Sequence, residues 1–223
     1  MYFQEFSHGK LQYLRAHPAD FSPERRYPVI FLLHGAGTRG SDLELLKSHA
    51  FFAATNKPDF PFVTIAPQCC ENTWFDLWES LCQLVRYIAA QPWADRTRLY
   101  LMGASMGGYA AWQLAMSLPE YFAAMVPICG GGMAWNTARL KNIPIWAFHG
   151  EKDVTVSPWE SRNMVDAVNK RGGQARLTLY PENAHDAWTD TFANEEVFRW
   201  LLTHENPGAP LPDTAYNDSR KFG

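Results

Sequence analysis

No sign of charge dominates this chain: over 223 residues the formal net charge is −3 and the sequence pI is near 6.2. Such a chain offers no basic field to a polyphosphate, so nucleic acid is not an expected partner. No apolar run is long enough to cross a bilayer. The start, Met1 to His8, has neither a basic opening nor the uninterrupted apolar segment of an export signal. A soluble cytoplasmic protein is the expectation. Cysteines are few, Cys69, Cys70, Cys82 and Cys129. Their spacing fits neither a metal-ligand set nor a disulfide framework, and a bridge between the adjacent Cys69 and Cys70 would be strained. Reduced thiols follow. Repeats and low-complexity blocks are also lacking.

What is present is an ordinary globular composition, 47% hydrophobic and 19% charged, in a chain long enough for one sizeable domain and short for two. Apolar strand runs alternate with helical patterns, which predicts an α/β domain over residues 1–204: a mostly parallel central sheet with helices on both faces. Strands are expected at Tyr27 to His34, Phe62 to Ala66, Arg98 to Met102, Ala123 to Cys129, Ile145 to His149 and Ala175 to Tyr180. One or two edge strands are expected before residue 26, Leu11 to Arg15 being the better candidate. Helices are expected at Leu77 to Ala90, Met106 to Ser117, Ser161 to Lys170 and Glu195 to His204, with a short one capped by Ser41 or Asp42. Residues 205–223, rich in proline and polar groups, form a tail that is disordered or laid across a surface, its own or a neighbouring subunit's. Homo-oligomerisation stays open.

The chemistry centres on Gly103-Ala-Ser-Met-Gly107, where a strand run gives way to a helical one. Small residues let the backbone turn sharply there, which pushes Ser105 out as a nucleophile beside the positive end of a helix. A serine hydroxyl needs a base, and the base needs an acid that fixes its tautomer. Asp153 follows the strand ending at His149, and His185 follows the strand ending at Tyr180, so the order is serine, acid, histidine. Glu151 and Asp186 are the alternative acids, and loop position favours Asp153. The backbone N–H groups of Met106 and Ala36 are the expected donors to an oxyanion. Trp74, Trp135 and Trp188 are candidate walls of a substrate site. Alternatively, all three are packing residues. His34 and His149 are expected to bond loop backbone rather than move protons, and His8, His17, His49 and His204 to lie on the surface. Gly130 to Gly132 lacks the lysine of a phosphate loop and lets backbone pass close to the pocket.

Through Leu33-His-Gly-Ala-Gly-Thr-Arg-Gly40, Ala66-Pro-Gln-Cys69, the elbow, Pro127-Ile-Cys-Gly-Gly-Gly132, Phe148-His-Gly-Glu-Lys-Asp153 and His185-Asp-Ala-Trp188, the chain resembles the α/β-hydrolase superfamily. More narrowly it resembles compact carboxylesterases related to polyhydroxybutyrate depolymerases, feruloyl esterases and the catalytic domain of prolyl oligopeptidases. The resemblance runs from Tyr27 to Leu202. It implies Ser105, Asp153 and His185 as the triad, and Ala36 and Met106 as the oxyanion hole. Cys70 stands where relatives tend to have proline, and Ala184 where glycine is usual. The expected function is a serine carboxylesterase acting on small to medium esters through an acyl-enzyme, without metal or organic cofactor. A prolyl oligopeptidase-type peptidase or amidase and a non-catalytic binding protein on the same fold are the alternatives. A propeller domain and a long lid are missing, which weighs against peptide and lipid substrates.

Overall fold

The computed structural model describes residues 1–211. Eight strands form one sheet: β1 (Tyr2–His8), β2 (Leu11–His17), β3 (Tyr27–Leu33), β4 (Val63–Pro67), β5 (Ala94–Ala104), β6 (Ala124–Ile128), β7 (Ile145–Gly150) and β8 (Ala175–Tyr180). Their spatial order is β1-β2-β4-β3-β5-β6-β7-β8. β1 pairs antiparallel with β2, and β2 antiparallel with β4, while every pair from β4 to β8 is parallel.

The central strands are buried on both faces, which is why they read as continuous apolar runs. In β3, Val29, Phe31 and Leu33 join one core, while Ile30 and Leu32 join the other. That alternation is the two-residue period of a strand. Helices α3 (Trp78–Ala89), α4 (Met106–Ser117) and α5 (Pro158–Lys170) cover the first face. The second face is covered by α1 (Leu43–Lys47), α2 (Ala50–Thr55), α6 (Trp188–Ala193) and α7 (Glu195–Leu202). α1 is capped by Asp42, whose carboxylate accepts from the Glu44 amide.

Two helices, α2 and α6, have no counterpart in the sequence expectations. Each has six residues, too short for periodicity to declare itself, and they are held by packing, with Phe51 and Phe192 edge to face at 5.3 Å. β5 starts at Ala94 rather than Arg98, because its first turn of residues is polar. There Asp95 accepts from the Thr97 amide and from Arg98.

Of the four histidines expected on the surface, His17 is buried and His8, His49 and His204 are partly buried. His8 stacks on Tyr87 at 4.4 Å, His17 packs against Phe21 at 4.6 Å, and His204 meets the edge of Trp200 at 4.7 Å. His49 accepts from the Phe51 amide and so caps α2. A flat imidazole covers an aromatic ring as well as it faces water, and this aromatic-rich chain offers many rings. Past α7, Asn206 ties the chain back: its amide donates to the Thr97 carbonyl at 2.8 Å and its side chain to the Glu120 carbonyl at 2.7 Å. Of the expected tail, residues 212–223 lie outside the described residues. Among the described residues, no helix is long and apolar enough to cross a membrane.

Candidate active site

The site lies at the carboxyl ends of the parallel strands, where open α/β sheets bind ligands. Between β5 and α4, Ser105 adopts φ 55° and ψ −118°, a left-handed backbone that a side chain rarely accepts. Close packing enforces the turn. A Cβ on Gly107 would lie 2.0 Å from the Leu33 carbonyl oxygen, so only glycine lets α4 approach β3 this closely. The Ser105 amide donates to the Ile128 carbonyl at 2.9 Å, fixing the turn to β6 as well.

Ser105 Oγ lies 2.8 Å from His185 Nε2, and His185 Nδ1 lies 2.6 Å from Asp153 Oδ2. These three side chains come from loops after β5, β7 and β8, and the last two loops meet at Gly150. A Cβ there would fall 2.2 Å from the Ala184 carbonyl oxygen, so glycine is what allows the loop bearing His185 to rest on the loop bearing Asp153. Asp153 Oδ1 accepts from the amides of Thr155 at 2.9 Å and Val156 at 2.8 Å. Burial alone would raise the Asp153 pKa. The bond from His185 and the two amides outweigh it and hold the carboxyl below its ordinary range. Asp153 therefore stays ionised beside an imidazole that gives it a hydrogen bond. Glu151 is exposed and faces Arg162 at 3.5 Å, so it does not compete for His185.

A cavity of about 430 Å³ opens in front of Ser105. Ala36 lines it, at the start of a tight turn over Ala36–Thr38, and Met106 opens α4, where a backbone N–H has no carbonyl one turn earlier in the helix to receive it. Trp188 also lines the cavity and meets the His185 ring edge to face at 5.3 Å.

The other two tryptophans do not join it, which corrects the expectation. Trp74 is fully buried, and its indole N–H donates to the His34 carbonyl at 3.0 Å, so it supports the loop after β3 and presents no surface to a ligand. Trp135 is 72% exposed on the turn Ala134–Leu140 that follows β6. His34 behaves as expected of a structural histidine. Its Nδ1 donates to the Gly35 carbonyl at 2.7 Å and its Nε2 accepts from the Cys69 amide at 3.0 Å.

Sequence reasoning missed two neighbours of the site. His49 lines the cavity, and burial drives its pKa down to about 4, so it is a neutral wall. Cys129, at φ 39°, places its sulfur within 4.8 Å of ligand atoms of Asp153 and His185. A signal was available, since Cys129 ends a strand at the same sheet edge as Ser105. Those three residues could in principle hold a metal ion. Against that, burial pushes the thiol up to about 12, which keeps it protonated, and Asp153 and His185 already bond each other.

Residues 64–197 match the dienelactone hydrolase family. The sequence matches no curated protein. Among solved structures, a thermostable esterase is similar at 32% identity and a TM-score of 0.82, over 91% of this chain and 63% of that one. Est1E from Butyrivibrio proteoclasticus shares the fold at 15% identity and a TM-score of 0.68, over 90% of this chain and 98% of its own. Dipeptidyl peptidase 4 from Porphyromonas gingivalis does so at 13% identity and a TM-score of 0.67, over 91% of this chain and 35% of its own. This chain thus spans less than two thirds of the esterase and about a third of the peptidase. With its strand order, its elbow and a match over more than half its length, the chain belongs to the dienelactone hydrolase family and has the α/β-hydrolase fold.

Proposed function

We propose that this chain is a serine carboxylesterase that hydrolyses small to medium carboxylic esters through an acyl-enzyme. The observation that carries the reading is the unbroken line from Ser105 Oγ to His185 Nε2 at 2.8 Å and from His185 Nδ1 to Asp153 Oδ2 at 2.6 Å. In this reading Ser105 attacks the ester carbonyl while His185 takes its proton, and the carboxylate of Asp153 stabilises the imidazolium that forms. The negative oxygen falls to the N–H groups of Ala36 and Met106, each worth about 3 kcal/mol in the transition state. His185 then returns its proton to the departing alcohol, and a water repeats the sequence to release the acid. No step calls for a metal or an organic cofactor. The cavity of about 430 Å³ suits a compact substrate, and Trp188 supplies an apolar wall for it.

Turnover of p-nitrophenyl acetate and butyrate by the wild type and by Ser105→Ala tests the reading. The variant is expected to lose at least about 10³-fold in kcat. Equal rates would end the proposal. Matched ester and anilide substrates test the ester preference, and labelling of Ser105 by a fluorophosphonate separates an enzyme from a binding protein on this fold.

A further inference from the structure

His149 is the penultimate residue of β7, four residues before Asp153, and both side chains are fully buried. Its Nε2 lies 3.0 Å from the Val156 carbonyl oxygen and 3.2 Å from Asp153 Oδ2. Its Nδ1 lies 2.7 Å from Ser161 Oγ on α5, and that hydroxyl is also 3.0 Å from the Gly130 carbonyl oxygen. Two oxygens that can only accept converge on Nε2. A bare nitrogen there would face two lone pairs, so Nε2 carries a hydrogen. Burial disfavours the charged ring, so Nδ1 is without a hydrogen and faces the Ser161 hydroxyl, whose single hydrogen lies between Nδ1 and the Gly130 carbonyl.

We infer that His149 is a positioning residue for Asp153: its Nε2–H, shared with the Val156 carbonyl, faces the same carboxylate oxygen that receives the Nδ1–H of His185. A carboxylate has about four lone-pair sites. Here two amides fill those of Oδ1, His185 fills one of Oδ2, and the His149 Nε2–H, shared with the Val156 carbonyl, faces the other. Every site of a buried anion is therefore used, and the plane of the carboxylate is set by protein groups on all sides. Without His149 one lone pair is bare, and only His185 then restrains Oδ2. Ser161 acts one step further back, since its hydroxyl anchors the Nδ1 side of the ring to α5. This inference rests on Asp153 being the acid of the proposed esterase.

The test compares His149→Phe, His149→Gln and Ser161→Ala with the wild type in the full chain, on p-nitrophenyl acetate, with active sites counted by fluorophosphonate titration. Phenylalanine keeps the bulk and deletes the donor. We expect its kcat per site to fall at least about tenfold with KM within about threefold, the pattern of a misplaced catalytic group. Glutamine can bring an N–H to the same place, and should recover kcat to within about threefold of the wild type. Ser161→Ala should lower kcat several-fold, because the ring then loses its anchor on α5. A second readout needs no turnover: the low-field proton resonance of His185 Nδ1–H should weaken in His149→Phe and persist in His149→Gln. Wild-type kcat per site in His149→Phe, even with a lowered Tm, would overturn the inference. So would a glutamine variant no better than phenylalanine. If His149→Phe does not fold, the glutamine and Ser161→Ala variants decide by the same measures. Failure of the esterase reading itself looks different, since Ser105→Ala would then retain the rate and the wild type would take no label.

Discussion

The two sides of the cavity are held by different kinds of contact. On the side of β3 and β5 the backbone does the work: α4 touches β3 through Gly107, and Ser105 sits where that contact forces it. On the side of β7 and β8 the backbones also close at Gly150, but the functional side chains are held by hydrogen bonds, from Asp153 to His185 and to two amides. A steric contact tolerates no change in volume, whereas a hydrogen-bonded one tolerates changes that keep the shape and fails when a donor or acceptor is replaced. One side should therefore break as structure and the other as chemistry.

The largest effect expected from this difference is on rate. Asp153→Asn keeps the shape of the side chain but turns an acceptor toward a donor, and kcat should fall about 10⁴-fold, while thermal unfolding moves little. A comparable loss of Tm would show that both sides are structural and erase the contrast. On the other side, Gly107→Ala should cost more than about 4 kcal/mol, seen as a Tm lowered by about 10 °C or as loss of soluble protein. Gly37→Ala is the control, because nothing lies within 4 Å of a Cβ placed there. Equal stability of the two variants would remove the steric account.

A smaller effect, on stability against pH, comes from His34, which is fully buried and bonded to backbone at both nitrogens. Burial brings its pKa from 6.5 to about 4. Between those values the unfolded chain binds a proton that the folded one does not. Stability is thus complete above about pH 6.5 and declines as the pH falls toward 4, by roughly 3 kcal/mol for this residue. Denaturant unfolding at a series of pH values should show the slope, and His34→Gln should reduce it. His49, with its pKa also near 4, keeps part of the slope. A slope of the opposite sign would mean that the buried ring is charged.

The steric side was also the more legible one. Gly103-Ala-Ser-Met-Gly107 carries its geometry in its spacing, and the apolar runs of β3, β6 and β7 mark their own burial. Asp153 and His185 could be read from their positions after strands. The second partner of Asp153 could not, because His149 reaches it only through a loop folding back, and nothing in His149-Gly-Glu-Lys-Asp153 specifies that path. The tryptophans failed for a related reason. Residue type says that Trp74 and Trp135 are large and apolar, but burial under a loop or exposure on a turn depends on how the loops run. Helices α2 and α6 escaped because their six residues are ordered by Phe51 and Phe192 touching across the chain rather than by any local pattern.

The left-handed backbone at Ser105 sets folding and reactivity against each other. A side chain held in that region costs about 1–3 kcal/mol, and glycine would be relieved of it. Selection for thermal endurance alone, in a library varied at this codon, should therefore enrich Ser105→Gly and return hardier proteins that have lost the proposed nucleophile.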